Sequence, residues 1–228
     1  MRTMDQDLDL QDLDLREIGR AAWRELPLML TISLLVTLAC GATASVAMVV
    51  APLAPLAAAL TLGPVWMAAV ALAAALLDGQ AVGIRDLATA IGRWGATGIA
   101  ISLVPATLAT LLIGSVGVLS ANPDQRWLLA PIALDGTALV VAALACFAVF
   151  PLAVAADQTQ RDRWLAACAL AGLDLRTTLG VTAVPVLMAL STRVVGPFVA
   201  LLLPGPLALL CTAATRHAGG RAMSRGIS

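Results

Sequence analysis

From Leu26 to Leu77 the chain carries no charged side chain at all, and that stretch limits the fold more than any motif does. A helix rises about 1.5 Å per residue, so as one rod it would far exceed the roughly 30 Å hydrocarbon core of a bilayer. Pro52 and Pro55 fall near its middle, where proline's missing N–H and fixed φ interrupt a helix. The stretch therefore predicts a hairpin of two spans. Hydrocarbon offers backbone polar groups no partner, so each span must be a helix that satisfies its own.

The same rule applied along the chain predicts an all-α polytopic transmembrane bundle of six spans, at about 26–50, 55–77, 97–119, 128–155, 177–195 and 197–215. An acidic segment, 1–25, precedes the bundle and a basic one, 216–228, follows it. Of 228 residues, 60% are hydrophobic and 12% charged, with mean hydropathy +0.93, whereas a soluble domain has roughly 25% charged residues. A net charge of +0 hides a segregation, because seven of the fourteen acids lie before residue 26. No basic stripe interleaved with aromatics points to nucleic acid.

Arginine placement sets the expected orientation. All fourteen cations are arginine, and with the N-terminus inside, twelve fall on the cytoplasmic side, leaving Arg126 and Arg193 outside. Both termini are then cytoplasmic. Trp23, Trp94 and Trp127 stand where apolar runs meet charged segments, as interfacial anchors do, and Trp66 lies inside span 2 as a packing residue. The first run has an acidic leader and is too long for a signal peptide, so it is read as a retained span. Cys40, Cys146, Cys168 and Cys211 stand far apart with no histidine near, and read as reduced packing residues.

Two short amphipathic helices are expected on the cytoplasmic surface, between spans 2 and 3 and between spans 4 and 5. In the first, Ile84, Leu87, Ala88 and Ile91 share one face and Arg85, Thr89 and Arg93 the other. The second runs from Arg161 to Leu175 and includes Arg163. Arg85, Arg93, Arg161 and Arg163 are candidates to face a cytoplasmic partner. An offset of 80 residues aligns Gly92 with Gly172, Thr97 with Thr177, Val104 with Val184, Pro105 with Pro185 and Ala109 with Ala189, which suggests a parallel repeat of span, surface helix and span. At the N-terminus the tandem run Gln6 to Leu10 and Gln11 to Leu15 is either an acidic solvated tail or an amphipathic helix leading into span 1.

Within the apolar runs, Asp135 and Arg193 are the costly residues. Two readings are open for Asp135: a cap, with Gly136, of a helix beginning there, or one half of an intramembrane polar pair with Arg193. Gly63, Pro64, Pro105, Pro185, Pro204 and Gly205 are candidate helix breaks, either as kinks and turns or as half-helices around a site. Gly41, Ser45, Gly98, Ser102 and Gly114 are spaced for close helix approach, and threonines in spans 1 and 3 can bond neighbouring backbones. His217, the sole histidine, lies in the C-terminal segment, and neither a nucleophile beside a base nor a metal-ligand cluster is visible. No enzyme activity and no cofactor are expected.

Gly172 followed by Val184-Pro185, after Ala166-Ala167-Cys168, resembles the coupling loop of binding-protein-dependent ABC permeases, without its glutamate. A wider resemblance rests on Trp23, Gly63-Pro64, Ile84-Arg85-Asp86-Leu87, Phe150-Pro151-Leu152 and Leu203-Pro204-Gly205. In order and spacing these are similar to the YesL-like family of bacterial integral membrane proteins, with leucine at 87 where phenylalanine is usual. That resemblance implies a bacterial inner-membrane location and an accessory role in carbohydrate uptake, with transporter subunits or a cytoplasmic protein as partner. The alternative from the residues is a membrane scaffold or sensor that recruits a partner and transports nothing.

Overall fold

The computed structural model describes residues 23, 25–122, 124–155, 158–173, 175–194 and 203–224. Among them every regular element is helical. The helices are α1 (Leu26–Val49), α2 (Ala54–Leu77), α3 (Ile84–Ala121), α4 (Leu129–Ala155), α5 (Gln160–Leu173), α6 (Leu175–Val194) and α7 (Pro204–Ser224). By length and composition four segments can cross a membrane: α1, Ala51–Leu77, α3 and α4. Gln160–Leu173 with Thr178–Val184, bent by 101°, makes a fifth candidate if the pair is one span.

The hairpin prediction holds. A 3-10 turn, Ala51–Leu53, joins α1 to α2, with Pro52 in its first turn and Pro55 in the first turn of α2, where the missing proline N–H is an orphan anyway. The opposite end of α2 stops at Gly79, whose φ of 73° is left-handed. Gln80 N–H donates to Ala75 O and Gly79 N–H to Leu76 O, so two orphan carbonyls of the last turn are satisfied by a Schellman turn.

Between α2 and α3 the structure departs from expectation. No separate surface helix exists there: Ile84 to Ala121 is one rod of 38 residues. Gly83 N–H donates to the Asp86 carboxylate at 2.8 Å, and Asp86 N–H to Gly83 O, which pins the helix start. Leu87 and Ala90 are buried and Ile91 and Trp94 pack on the core, whereas Ile84 and Ala88 are exposed. The apolar face of this segment thus seals the end of α2. Where the second surface helix is expected, a separate helix, α5, does stand, with Thr159 and Asp162 closing its first turn through a 2.6 Å hydrogen bond. The aligned halves therefore differ in build: one is a single helix through Gly92, the other is split between α5 and α6 after Gly172.

Helix α2 is the central rod, packed by α1, α3, α4 and α7. The core gathers at one end of the bundle: Leu28 and Ile32 near the start of α1, Met67 and Val70 in the second half of α2, Ile101 in the first half of α3, and Val149 near the end of α4 are essentially fully buried. Toward the other end the helices expose Met48, Val49, Leu111, Val116, Leu134 and Val140. Lipid is the natural solvent for those faces.

Glycine sets the closest helix approach. A Cβ on Gly98 would overlap Gly63 O and come within 2.8 Å of Met67 Cβ, and one on Gly63 would meet Gly98 O at 2.9 Å. Gly63 and Pro64 therefore break nothing. They lie inside α2, as Pro105 lies inside α3 and Pro185 inside α6, and the helices run through them. Among the described residues, Gly41 and Gly114 meet nothing within 4 Å, so no close helix approach is seen at either.

Candidate functional site

Helix α7 begins inside the protein. Pro204 and Gly205 are buried, and a Cβ on Gly205 would stand 2.9 Å from Met29 O. A buried helix start needs acceptors for its free donors. Proline at 204 and 206 removes two of them, Gly205 N–H donates to the fully buried Ser33 Oγ at 3.2 Å, and Leu207 N–H donates to Leu203 O at 2.9 Å. The prolines and Ser33 together make a neutral, self-satisfied terminus, with no N–H left over in the segment 204–207 for an anion. Pro204 and Gly205 do mark the start of the described helix, on the side of α1 near Met29, and the expected beginning of the last span at 197 lies outside the described residues.

Further along α7, Arg216 reaches the last turn of α2. Its Nη1 and Nη2 donate to Asp78 Oδ1 and Oδ2 at 2.8 and 3.2 Å, and Nη2 also reaches Ala74 O at 3.2 Å. A cation at a helix C-terminus is favourable, and the fork geometry of arginine fits the carboxylate. The hydrogen bond from Arg216 holds the Asp78 carboxyl below its usual range. About half of each side chain is exposed (44% and 51%), so water and salt weaken the pair.

Helix α5 packs along α4 beside this clamp, touching α7 and α6. Its outward face exposes Arg161, Leu165 and Cys168, and its inward face holds Gln160, Arg163, Trp164 and the fully buried Ala167. Three nitrogens on that inward face, Gln160 Nε2, Arg163 Nε and Trp164 Nε1, are shielded from solvent and have no hydrogen-bond partner. Such groups are uncommon in a folded protein.

The other predicted residues are more scattered. Arg85 is exposed, and Arg93 is exposed with its guanidinium 5.2 Å from the Trp94 ring centroid. Asp135 lies within α4, which already begins at Leu129; it therefore caps no helix. The side chain of Arg193 is outside the described residues, and so is that of Pro185. The tandem repeat also lies outside them. Most threonines in α1 and α3 bond the carbonyl one turn back in their own helix, as Thr31 does to Pro27 and Thr110 to Ala106; the Thr43 to Thr61 contact at 3.2 Å links α1 to α2. Trp23 and Trp127 are largely exposed, as interfacial residues are, whereas Trp94 and Trp66 pack on the core. Of the cysteines, Cys211 is buried, Cys146 partly so, and Cys40 and Cys168 are exposed, so burial does not explain all four.

A cavity of about 40 Å³ lies among Phe147, Leu170, Val181, Cys211 and Thr215, room for a water or two. It is apolar and too small for a solute such as a sugar. Among the described residues, Asp78, Arg85, Arg93, the arginines of α5 and Arg216 stand toward the end of the bundle where the core is packed. Neither family models, nor curated proteins, nor solved structures match this chain.

Proposed function

We propose that the chain is an integral membrane accessory or permease-like component of a solute-uptake system, acting through its cytoplasmic end. In this reading it is a six-span protein of a bacterial inner membrane with both termini inside, and α6 and the segment leading into α7 supply the last two spans. Carbohydrate is the solute class implied by the YesL-like resemblance. The observation that carries the reading is α5: a separate 14-residue helix, set at 101° to the segment that follows, with Arg161 and Leu165 turned outward. A short helix that packs along α4 and turns an arginine and a leucine outward suits docking of a cytoplasmic or transporter subunit. Replacing Leu165 by a photo-cross-linking residue in cells tests it. An adduct with a transporter ATPase or permease subunit is expected; adducts with lipid alone refute it.

The packed interior favours a second reading, a scaffold or sensor that recruits a partner and conducts nothing. Solute uptake separates the two. Loss of partner capture in Arg161→Glu with uptake unchanged supports the scaffold, whereas altered uptake in Asp135→Asn or Arg193→Ala supports a path through the bundle.

A further inference from the structure

The three unpartnered nitrogens of α5 stand one turn apart on a single helical face, at positions i, i+3 and i+4. All three are donors, and one belongs to a guanidinium that is charged at every physiological pH. The nearby carboxylate is already engaged: Asp162 accepts from Thr159, and its position in sequence puts it on another side of the helix. Among the described residues the ion pair formed is Arg216 with Asp78, so Arg163 has no acidic counterpart there. A guanidinium Nε shut away from solvent, beside two further donors without partners, is unfavourable unless an acceptor arrives.

We infer that the inward face of α5 binds a phosphate group through Gln160 Nε2, Arg163 Nε and Trp164 Nε1. A tetrahedral oxyanion has enough acceptor oxygens to engage all three donors, and charge-assisted bonds from guanidinium to phosphate are among the stronger ones. Trp164 packs its ring on the core, so its indole edge is fixed rather than free to turn away. Phosphate also fits the place. The flanks of the bundle are lipid-facing, and the phosphate layer of a bilayer lies at the level where the apolar helices end and arginines begin. In the structure the three nitrogens are closed off, so occupancy requires side-chain rearrangement of Gln160 and Arg163, both of which have flexible stems. The inference does not depend on the uptake reading.

The test uses the full chain reconstituted in nanodiscs of phosphatidylcholine alone or with phosphatidylglycerol, and separately in detergent with inorganic phosphate. Binding is read by native mass spectrometry and by thermal unfolding. Gln160→Glu keeps the shape but sets a negative charge against the anion, and Trp164→Phe keeps a ring but removes the N–H. Each is expected to weaken phosphate-group binding about tenfold or more. Retained phosphatidylglycerol and stabilisation by it alone identify a lipid headgroup as the source; stabilisation by inorganic phosphate as well shows that a free phosphate is accepted. Both lipids carry a phosphodiester, so retention of the two that Trp164→Phe lowers supports the inference, whereas retention of neither in detergent, with no stabilisation by inorganic phosphate, overturns it. So does wild-type binding in Gln160→Glu, a variant whose conserved shape makes misfolding easy to recognise from its unfolding curve without ligand.

Discussion

Ser33→Ala removes one oxygen, and its effect is a direct measure of the buried start of α7. The oxygen is fully buried and accepts Gly205 N–H at 3.2 Å. Prolines on both sides of Gly205 leave that N–H no neighbour to share with, and in the first turn it has no intrahelical acceptor. An orphaned buried donor costs about 1–3 kcal/mol, whereas interhelical hydrogen bonds in membranes average about 0.6 kcal/mol, because the unfolded chain in lipid finds partners too. The 3.2 Å separation is at the long end of the N–H···O range, so about 1–2 kcal/mol is expected. Unfolding of the purified protein by titration with SDS in mixed micelles measures it. Thr31→Ala is the control: its hydroxyl bonds Pro27 O within the same helix and is exposed, and the loss should stay within about 0.5 kcal/mol. Equal stability of the two variants would refute the account of how α7 begins.

Gly98→Ala sets a methyl against Gly63 O and Met67 and should destabilise by at least about 1–3 kcal/mol. Gly92→Ala, with nothing within 4 Å, should be neutral or stabilise by up to about 1 kcal/mol, as read by the same titration. For Asp78 the bound-state pKa is depressed by Arg216; its contribution is therefore present above the unfolded carboxylate range and is lost as pH falls through the folded value. Its half-exposed setting limits the effect to about 0.2–1 kcal/mol, and Asp78→Asn should abolish both that acid sensitivity and its weakening by salt. In folded protein a water-soluble maleimide should label exposed Cys168 and leave buried Cys211 unmodified until denaturation; labelling of Cys211 in the native state would contradict its packing.

Hydropathy reports the solvent around a helix, and this governs what the sequence revealed. Spans predicted at 26–50, 55–77 and 128–155 match α1, α2 and α4 to within a residue at each end, because there the apolar run and the helix end together. At α3 they do not. Arg85 and Arg93 mark where lipid gives way to water, yet the backbone needs no new element at that boundary, and Leu87 and Ala90 find cover on α2. The same confusion ended the final span at 215, whereas the helix runs on to Ser224, past Arg216; the expected start at 197 lies outside the described residues. Gly63 and Pro64 suggested a break because both weaken helices in water, but with all-apolar neighbours a missing side chain is more useful as room for the facing backbone. Asp135 suggested a cap because an acid is costly inside an apolar run, yet the helix that begins at Leu129 runs through it. The α5 donors carried a partial signal: Arg163 was a candidate by charge, while Gln160 and Trp164 gain meaning only from burial. Ser33 gave none, since one serine in an apolar run is indistinguishable from filler until its partner across the fold is known.

With its interlocking contacts gathered at one end, the bundle behaves as a set of rods held in a single collar. At the far end α1 turns straight into α2 through Ala51–Leu53, and Thr43 meets Thr61 across that pair, so the rods close there in a hairpin whose outward apolar side chains are left for lipid to cover.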